Sequence, residues 1–119
     1  MKIESYKNLI VWQKSMDLVI LIYEMTKKFP REEIYGISGQ MKRAVISIPS
    51  NIAEGSRRSS RKDFRNFLIN AYGSGAELET QIQITKRLRF EIQENYLKIE
   101  ELLSEIMRML NKLINNLKS

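Results

Sequence analysis

The chain has 119 residues, 43% hydrophobic and 29% charged, with 8% aromatics and two prolines, a balance that suits one helix-rich folded domain and excludes a disordered chain. Cysteine and histidine are both absent, which excludes thiolate or imidazole zinc sites, histidine-backed serine or cysteine nucleophiles, and the usual haem and iron–sulfur ligation. The excess of 20 Lys and Arg over 14 Asp and Glu gives a net charge of +6 and a pI near 9.7, a bias towards polyanions such as RNA, DNA or anionic lipid.

Met1-Lys2-Ile3-Glu4-Ser5-Tyr6-Lys7 holds no signal-peptide apolar core, and the longest apolar run, Leu18 to Tyr23, is far too short to cross a bilayer. A cytoplasmic protein with no membrane association is expected. Leu9, Trp12, Met16, Val19 and Tyr23 recur at steps of three and four, predicting a first helix that ends near Lys28. Lys27 and Lys28 suit its negative end, and Pro30 blocks continuation. Leu18, Ile20, Leu21 and Ile22 widen the apolar face, and Trp12 is expected in the core with a partner for its indole N–H.

Arg31 to Gly36 reads as a connector or a short helical turn. Ser38 is expected to cap a second helix running to about Glu54, with Met41, Ala44, Val45, Ile48 and Ile52 on its buried side. Pro49 falls inside it, removing one backbone donor and predicting a kink, and Gly55 reads as the stop. Ser50 and Asn51 are placed to bond carbonyls freed at Pro49. Glu54 is within reach of Arg57 or Arg58 for an ion pair.

Ser60 and Asp63 form an imperfect capping arrangement for a third helix that could continue to Phe90. Its stripe is Phe64, Leu68, Ala71, Gly75, Leu78 and Ile82. Gly73 and Gly75 in its interior each cost about 1 kcal/mol relative to alanine, which points either to close approach of a partner helix or to a break at Gly73. A fourth helix, from about Glu94 to Leu117, carries Ile99, Leu103, Ile106, Leu110, Leu113 and Leu117, flanked by Leu102, Met107, Met109 and Ile114. That apolar surplus suits either another subunit or a wide core face. The four helices predict an all-α, antiparallel up-and-down four-helix bundle as a single domain over residues 1–119.

The segment with the most pointed chemistry is Arg57 to Arg65, where Arg57, Arg58, Arg61, Lys62 and Arg65 crowd the start of the third helix. Cations there oppose the positive end of the helix dipole and are unfavourable by a few tenths of a kcal/mol each, roughly. An anion would reverse the sign, because a phosphate can use the free amides and the guanidinium groups together. A solvated charged loop explains the same residues without a ligand. Lys42 and Arg43 lie on the second helix as its solvent face, or extend the surface if the fold brings them near Arg57. Lys86, Arg87 and Arg89 sit where the dipole favours them. Glu77 and Glu79 do not share a helix face and make a poor acid–base or metal pair, so no catalytic residue, metal or cofactor is expected.

Leu9 to Lys14, Phe29 to Gly36 and above all Arg43-Ala44-Val45-Ile46-Ser47-Ile48-Pro49-Ser50-Asn51-Ile52-Ala53-Glu54-Gly55 resemble the bacterial four-helix-bundle proteins known as 23S rRNA intervening-sequence proteins. The resemblance covers nearly the whole chain. It implies an up-down bundle assembling as a ring-like homopentamer, in a family whose biochemical role is not settled. The chain is also distantly similar to the accessory protein of diversity-generating retroelements, a basic pentamer that engages nucleic acid and a reverse transcriptase.

The expected function is a non-catalytic oligomer that engages the phosphate backbone of RNA or DNA through Arg57 to Arg65, with little base readout because few aromatics are available for stacking. The alternative is a scaffold that recruits a protein partner and whose charge only keeps it soluble or steers encounter.

Overall fold

The structure, a computed structural model, describes residues 5–118, so the expectation for Met1 to Glu4 lies outside it. Among the described residues four helices and no strands occur: α1 (Ile10–Thr26), α2 (Ile37–Ser56), α3 (Arg61–Arg87) and α4 (Glu94–Asn116). Single 3-10 turns, Tyr6–Asn8 and Arg31–Glu33, precede α1 and α2. No described helix is long and apolar enough to cross a membrane.

The helices form an all-α four-helix bundle of 44 × 24 × 21 Å. Each packs on two neighbours, so that α1 lies diagonally across from α3 and α2 from α4. Tyr96 at the start of α4 donates to Thr85 near the end of α3 (3.0 Å), and Arg61 at the start of α3 reaches Asn116 at the end of α4 (3.0 Å). One pole of the bundle therefore collects the 3-10 turn Tyr6–Asn8, the α2–α3 turn and the end of α4. The other collects the α1–α2 and α3–α4 connections.

The expected stripes of α2 and α3 are all buried. α1 differs. Its buried face is Val11, Ser15, Leu18, Ile22, Met25 and Thr26, continued by Phe29, while Met16 is 41% exposed and Trp12, Val19 and Tyr23 are only half-buried. Two polar residues in that face hid it from a purely apolar pattern. They are tolerated because the Ser15 hydroxyl donates to the Val11 carbonyl (2.6 Å) and Thr26 to Ile22 (2.9 Å), so that both hydroxyls are paired. Trp12 stands edge-on to Tyr6 at the rim, with ring centroids 5.4 Å apart.

Two expected punctuation marks of α2 also fall elsewhere. Ser38 is buried inside the helix; Gly36 occupies the N-cap, and the Glu33 carboxylate accepts weakly from Ile37 N–H (3.5 Å). Gly55 does not stop the helix, which continues to Ser56 with Arg57 as C-cap. A Cβ on Gly55 would stand 2.5 Å from Phe67 Cβ and 3.3 Å from the Phe64 carbonyl. The glycine admits α3 against α2 rather than turning the chain. α2 runs unbroken through the buried Pro49.

α3 likewise passes through Gly73 without a break. Gly75 sits where a Cβ would collide with the Met107 side chain of α4, whereas Gly73 has nothing within 4 Å of its missing Cβ. Close approach thus accounts for one of the pair. α3 ends at Arg87, short of Phe90, in a hydrogen-bonded reversal: Arg89 N–H donates to Lys86 (3.1 Å) and Phe90 N–H to Thr85 (3.2 Å), with Arg89 left-handed at φ 59°. In α4, Met107 and Ile114 join the core, so part of its broad apolar face belongs to the wide-core reading; Leu102, Met109 and Leu113 stay half-buried.

Candidate nucleic-acid interface

The turn Arg57–Ser60 is pinned from both sides. Arg57 and Arg58 N–H close the end of α2 on Glu54 and Gly55 carbonyls (3.2 and 3.1 Å), and Ser60 caps α3 by accepting from Asp63 N–H (3.0 Å) as its position predicts. A cleft of about 170 Å³ opens beside it, lined by Ser56, Arg58, Ser59, Ser60, Arg61, Phe64 and Leu117.

The five cations of this segment do different things. Arg61 Nη2 donates to the Asn116 carbonyl (3.0 Å), and Arg65 Nε to the Ile114 carbonyl (3.1 Å). Both satisfy terminal carbonyls of α4, and both bring positive charge to its negative dipole end. The expectation that all these cations oppose a helix dipole is corrected here: α3 begins beside the end of α4, and two arginines serve the neighbour. Arg58 pairs with Glu54 at 2.8 Å and lies over the Phe67 ring at 4.8 Å, the ion pair that Glu54 was placed to make. Arg57 lies over the Tyr6 ring at 5.5 Å. Arg57 and Lys62 are exposed, and among the described residues neither has a carboxylate partner within ion-pair distance.

Lys42 and Arg43 do not join them. They stand some fourteen residues before Arg57 on α2, about 20 Å along the helix axis, and Lys42 lies over Tyr23 of α1 (5.1 Å). Asn51 donates to the Ser47 carbonyl (2.8 Å) and hydroxyl (2.9 Å), and Ser47 in turn pairs with Ser74 of α3 (2.8 Å). That chain ties α2 to α3; the carbonyl that Pro49 frees is Val45's, so the expected role of Asn51 is corrected. Ser50 is exposed.

Folding adds cations that the linear segment does not contain. Lys7, in the 3-10 turn against α2, and Lys118, just after Leu117 in the wall of the cleft, are both exposed at this pole. The described carboxylates nearby are Glu54, already paired, and Asp63 in the first turn of α3. The signal for Lys7 and Lys118 is topological: four helices joined head to tail return both chain ends to the pole that holds the second turn.

At the opposite pole two lysines are paired, while Lys27, Arg31, Arg87 and Arg89 are exposed with no described carboxylate within ion-pair distance. Lys86 contacts Glu100 (3.1 Å) and lies over Tyr96 (5.7 Å), and Lys28 contacts Glu91 (3.8 Å). Glu91 is held below the usual carboxylate range, first by the Ile92 N–H that donates to it (2.9 Å), then by Asn95 and Lys28. Burial pushes the Tyr96 phenol above its ordinary value of 10.0, against the hydrogen bond to Thr85. Among the described residues no group of three or more carboxylates is placed to hold a metal ion.

The profile of a family described as "23S rRNA-intervening sequence protein" matches residues 7–112. A crystal structure of a protein with unknown function from the S23 ribosomal protein family, from Bacteroides thetaiotaomicron VPI-5482, superimposes with a TM-score of 0.82. The two are 29% identical, over 89% of this chain and 96% of that one. No curated protein matches the chain.

Proposed function

Given that this chain belongs to the 23S rRNA-intervening sequence protein family, we propose that it is a non-catalytic, cytoplasmic, oligomeric protein that engages the phosphate backbone of RNA or DNA. The observation that carries the reading is the exposed cation group Lys7, Arg57, Arg58, Lys62 and Lys118 at one pole, where the described carboxylates are Glu54 and Asp63. Arg61 and Arg65 hold the pole together and add to its field, while their hydrogen-bonding capacity is partly spent on α4.

A ring-like homopentamer would repeat this pole five times around one axis. Weak phosphate contacts would then act together through effective concentration. Sequence would be read little, because Tyr6 and Phe67 at the pole already carry Arg57 and Arg58 and Phe64 is buried. The similarity to the accessory protein of diversity-generating retroelements supports the same reading.

The test is the affinity for a structured RNA measured between about 50 and 200 mM salt, where each phosphate contact steepens the logarithmic slope by about 0.7 to 0.9. Replacing Arg57, Arg58 and Lys62 by glutamine should flatten that slope by about two to three and weaken low-salt binding by about 100-fold, roughly fivefold per lost phosphate contact. An unchanged slope refutes the interface. A protein partner retained at high salt and after nuclease treatment supports the scaffold alternative instead.

A further inference from the structure

The turn that joins α2 to α3 holds three serines among its cations, and their hydroxyls are used differently. Ser56 is half-buried and donates to the Ala53 carbonyl (2.8 Å). Ser60 is exposed, and its oxygen caps α3 by accepting from Asp63 N–H (3.0 Å). Ser59 is exposed and lies outside both helices, and among the described residues its hydroxyl has no hydrogen-bond partner. It shares the wall of the cleft with Arg58 and Arg61.

Cations flank that hydroxyl on both sides. Arg57 and Arg58 come just before it, Arg61 and Lys62 just after. The described carboxylates nearby are Glu54, which pairs with Arg58, and Asp63. A hydroxyl close behind arginines on a short exposed turn suits an arginine-directed protein kinase, because acidic pockets of such an enzyme hold the guanidinium groups while the hydroxyl meets the nucleotide. Ser60 follows the same arginines, so the sequence offers two acceptors; the free hydroxyl singles out Ser59.

We infer that Ser59 is a phosphorylation site and that its phosphate closes this pole to nucleic acid. The Ser59 Oγ attacks the γ-phosphorus of a nucleoside triphosphate, and the new O–P bond replaces that phosphorus's bond to the β–γ bridging oxygen. The nucleoside diphosphate leaves with the electron pair of the broken bond, and the hydroxyl proton passes to a base of the kinase. The phosphate brings a charge of about −1.5 to −2 into a cleft that Arg58 and Arg61 line, so cations that would meet a nucleic-acid backbone meet the protein's own phosphate. The switch rests on the proposed function of this pole, whereas the modification does not.

The full chain is incubated with an arginine-directed serine kinase and magnesium ATP, and the incorporated phosphate is located by tandem mass spectrometry. A single phosphate is expected at Ser59; Ser59→Ala should abolish incorporation and Ser60→Ala should keep it. No incorporation, or incorporation at Ser60 instead, overturns the site. Protein made with phosphoserine at position 59 should bind the structured RNA about 25-fold more weakly than wild type at low salt, roughly fivefold for each of about two lost phosphate contacts, with the salt slope flatter by about two. Phosphoserine at exposed Ser104, midway along α4, should change the affinity by less than about threefold. No loss at position 59, or an equal loss at position 104, overturns the switch. If the wild type shows no salt-dependent RNA binding, the interface and the switch both fail, and the phosphate map alone decides the site.

Discussion

The two poles of the bundle both carry exposed lysines and arginines, and they differ in how their remaining cations are held. At the pole of the α3–α4 connection, Lys86 and Lys28 face Glu100 and Glu91, and Phe29 and Phe90 pack with centroids 5.4 Å apart. At the pole of the α2–α3 turn, two arginines bond helix carbonyls, one pairs with Glu54, and Arg57 and Lys62 stand exposed. Arginine donating to a carbonyl keeps its full charge, whereas lysine facing a carboxylate is neutralised. A pole can therefore be mechanically tied and electrostatically open at once.

Four variants test this contrast. The largest effect is expected at Gly55, where any Cβ meets Phe67 and the Phe64 carbonyl. Gly55→Val should cost about 3 kcal/mol in urea unfolding, because backbone as well as side chains must shift. Next, Arg61→Gln with Arg65→Gln should cost about 1.5 kcal/mol together, discounted for exposure, as the end of α4 loses its charge-assisted partners. Low-salt RNA affinity should fall less for this pair than for Arg57→Gln with Lys62→Gln; the opposite order would break the division of labour between tying and open cations.

The third substitution belongs to the other pole. Tyr96→Phe removes a buried hydroxyl that donates to Thr85 (3.0 Å) and should cost about 1 kcal/mol near neutral pH. The folded phenol titrates above its ordinary 10.0, so its contribution is full below that value and is lost as pH rises through the folded value. The gap between wild type and Tyr96→Phe should narrow above pH 10; a gap that widens there contradicts the assignment. The smallest effect is a gain: Arg89→Gly relieves a left-handed arginine at φ 59° and should add about 0.5 kcal/mol of thermal stability.

Legibility followed the polarity of the residues. α2 and α3 write their core faces in apolar residues and could be read directly. α1 writes part of its face in Ser15 and Thr26, whose hydroxyls are satisfied within the helix, so the true stripe looks interrupted and a neighbouring one looks continuous. Gly55 carries the same letter for a helix stop and for close packing; only the position of Phe67 distinguishes them. The cationic segment was visible as a cluster, but the roles of Arg61 and Arg65 depend on where α4 ends, fifty residues later by order of magnitude along the chain. Lys7 and Lys118 join the pole through topology alone.

The central claim is that the location of the cations, not their total, engages nucleic acid. Two charge-matched variants test it: Arg57, Arg58 and Lys62 to glutamine at one pole, and exposed Lys27, Arg31 and Arg87 to glutamine at the other. Each lowers the net charge of +6 by three. Measured against the same structured RNA at low salt, the first should bind about 100-fold more weakly than wild type and the second within about threefold; equal losses from the two variants would show that only net charge matters and would contradict the account.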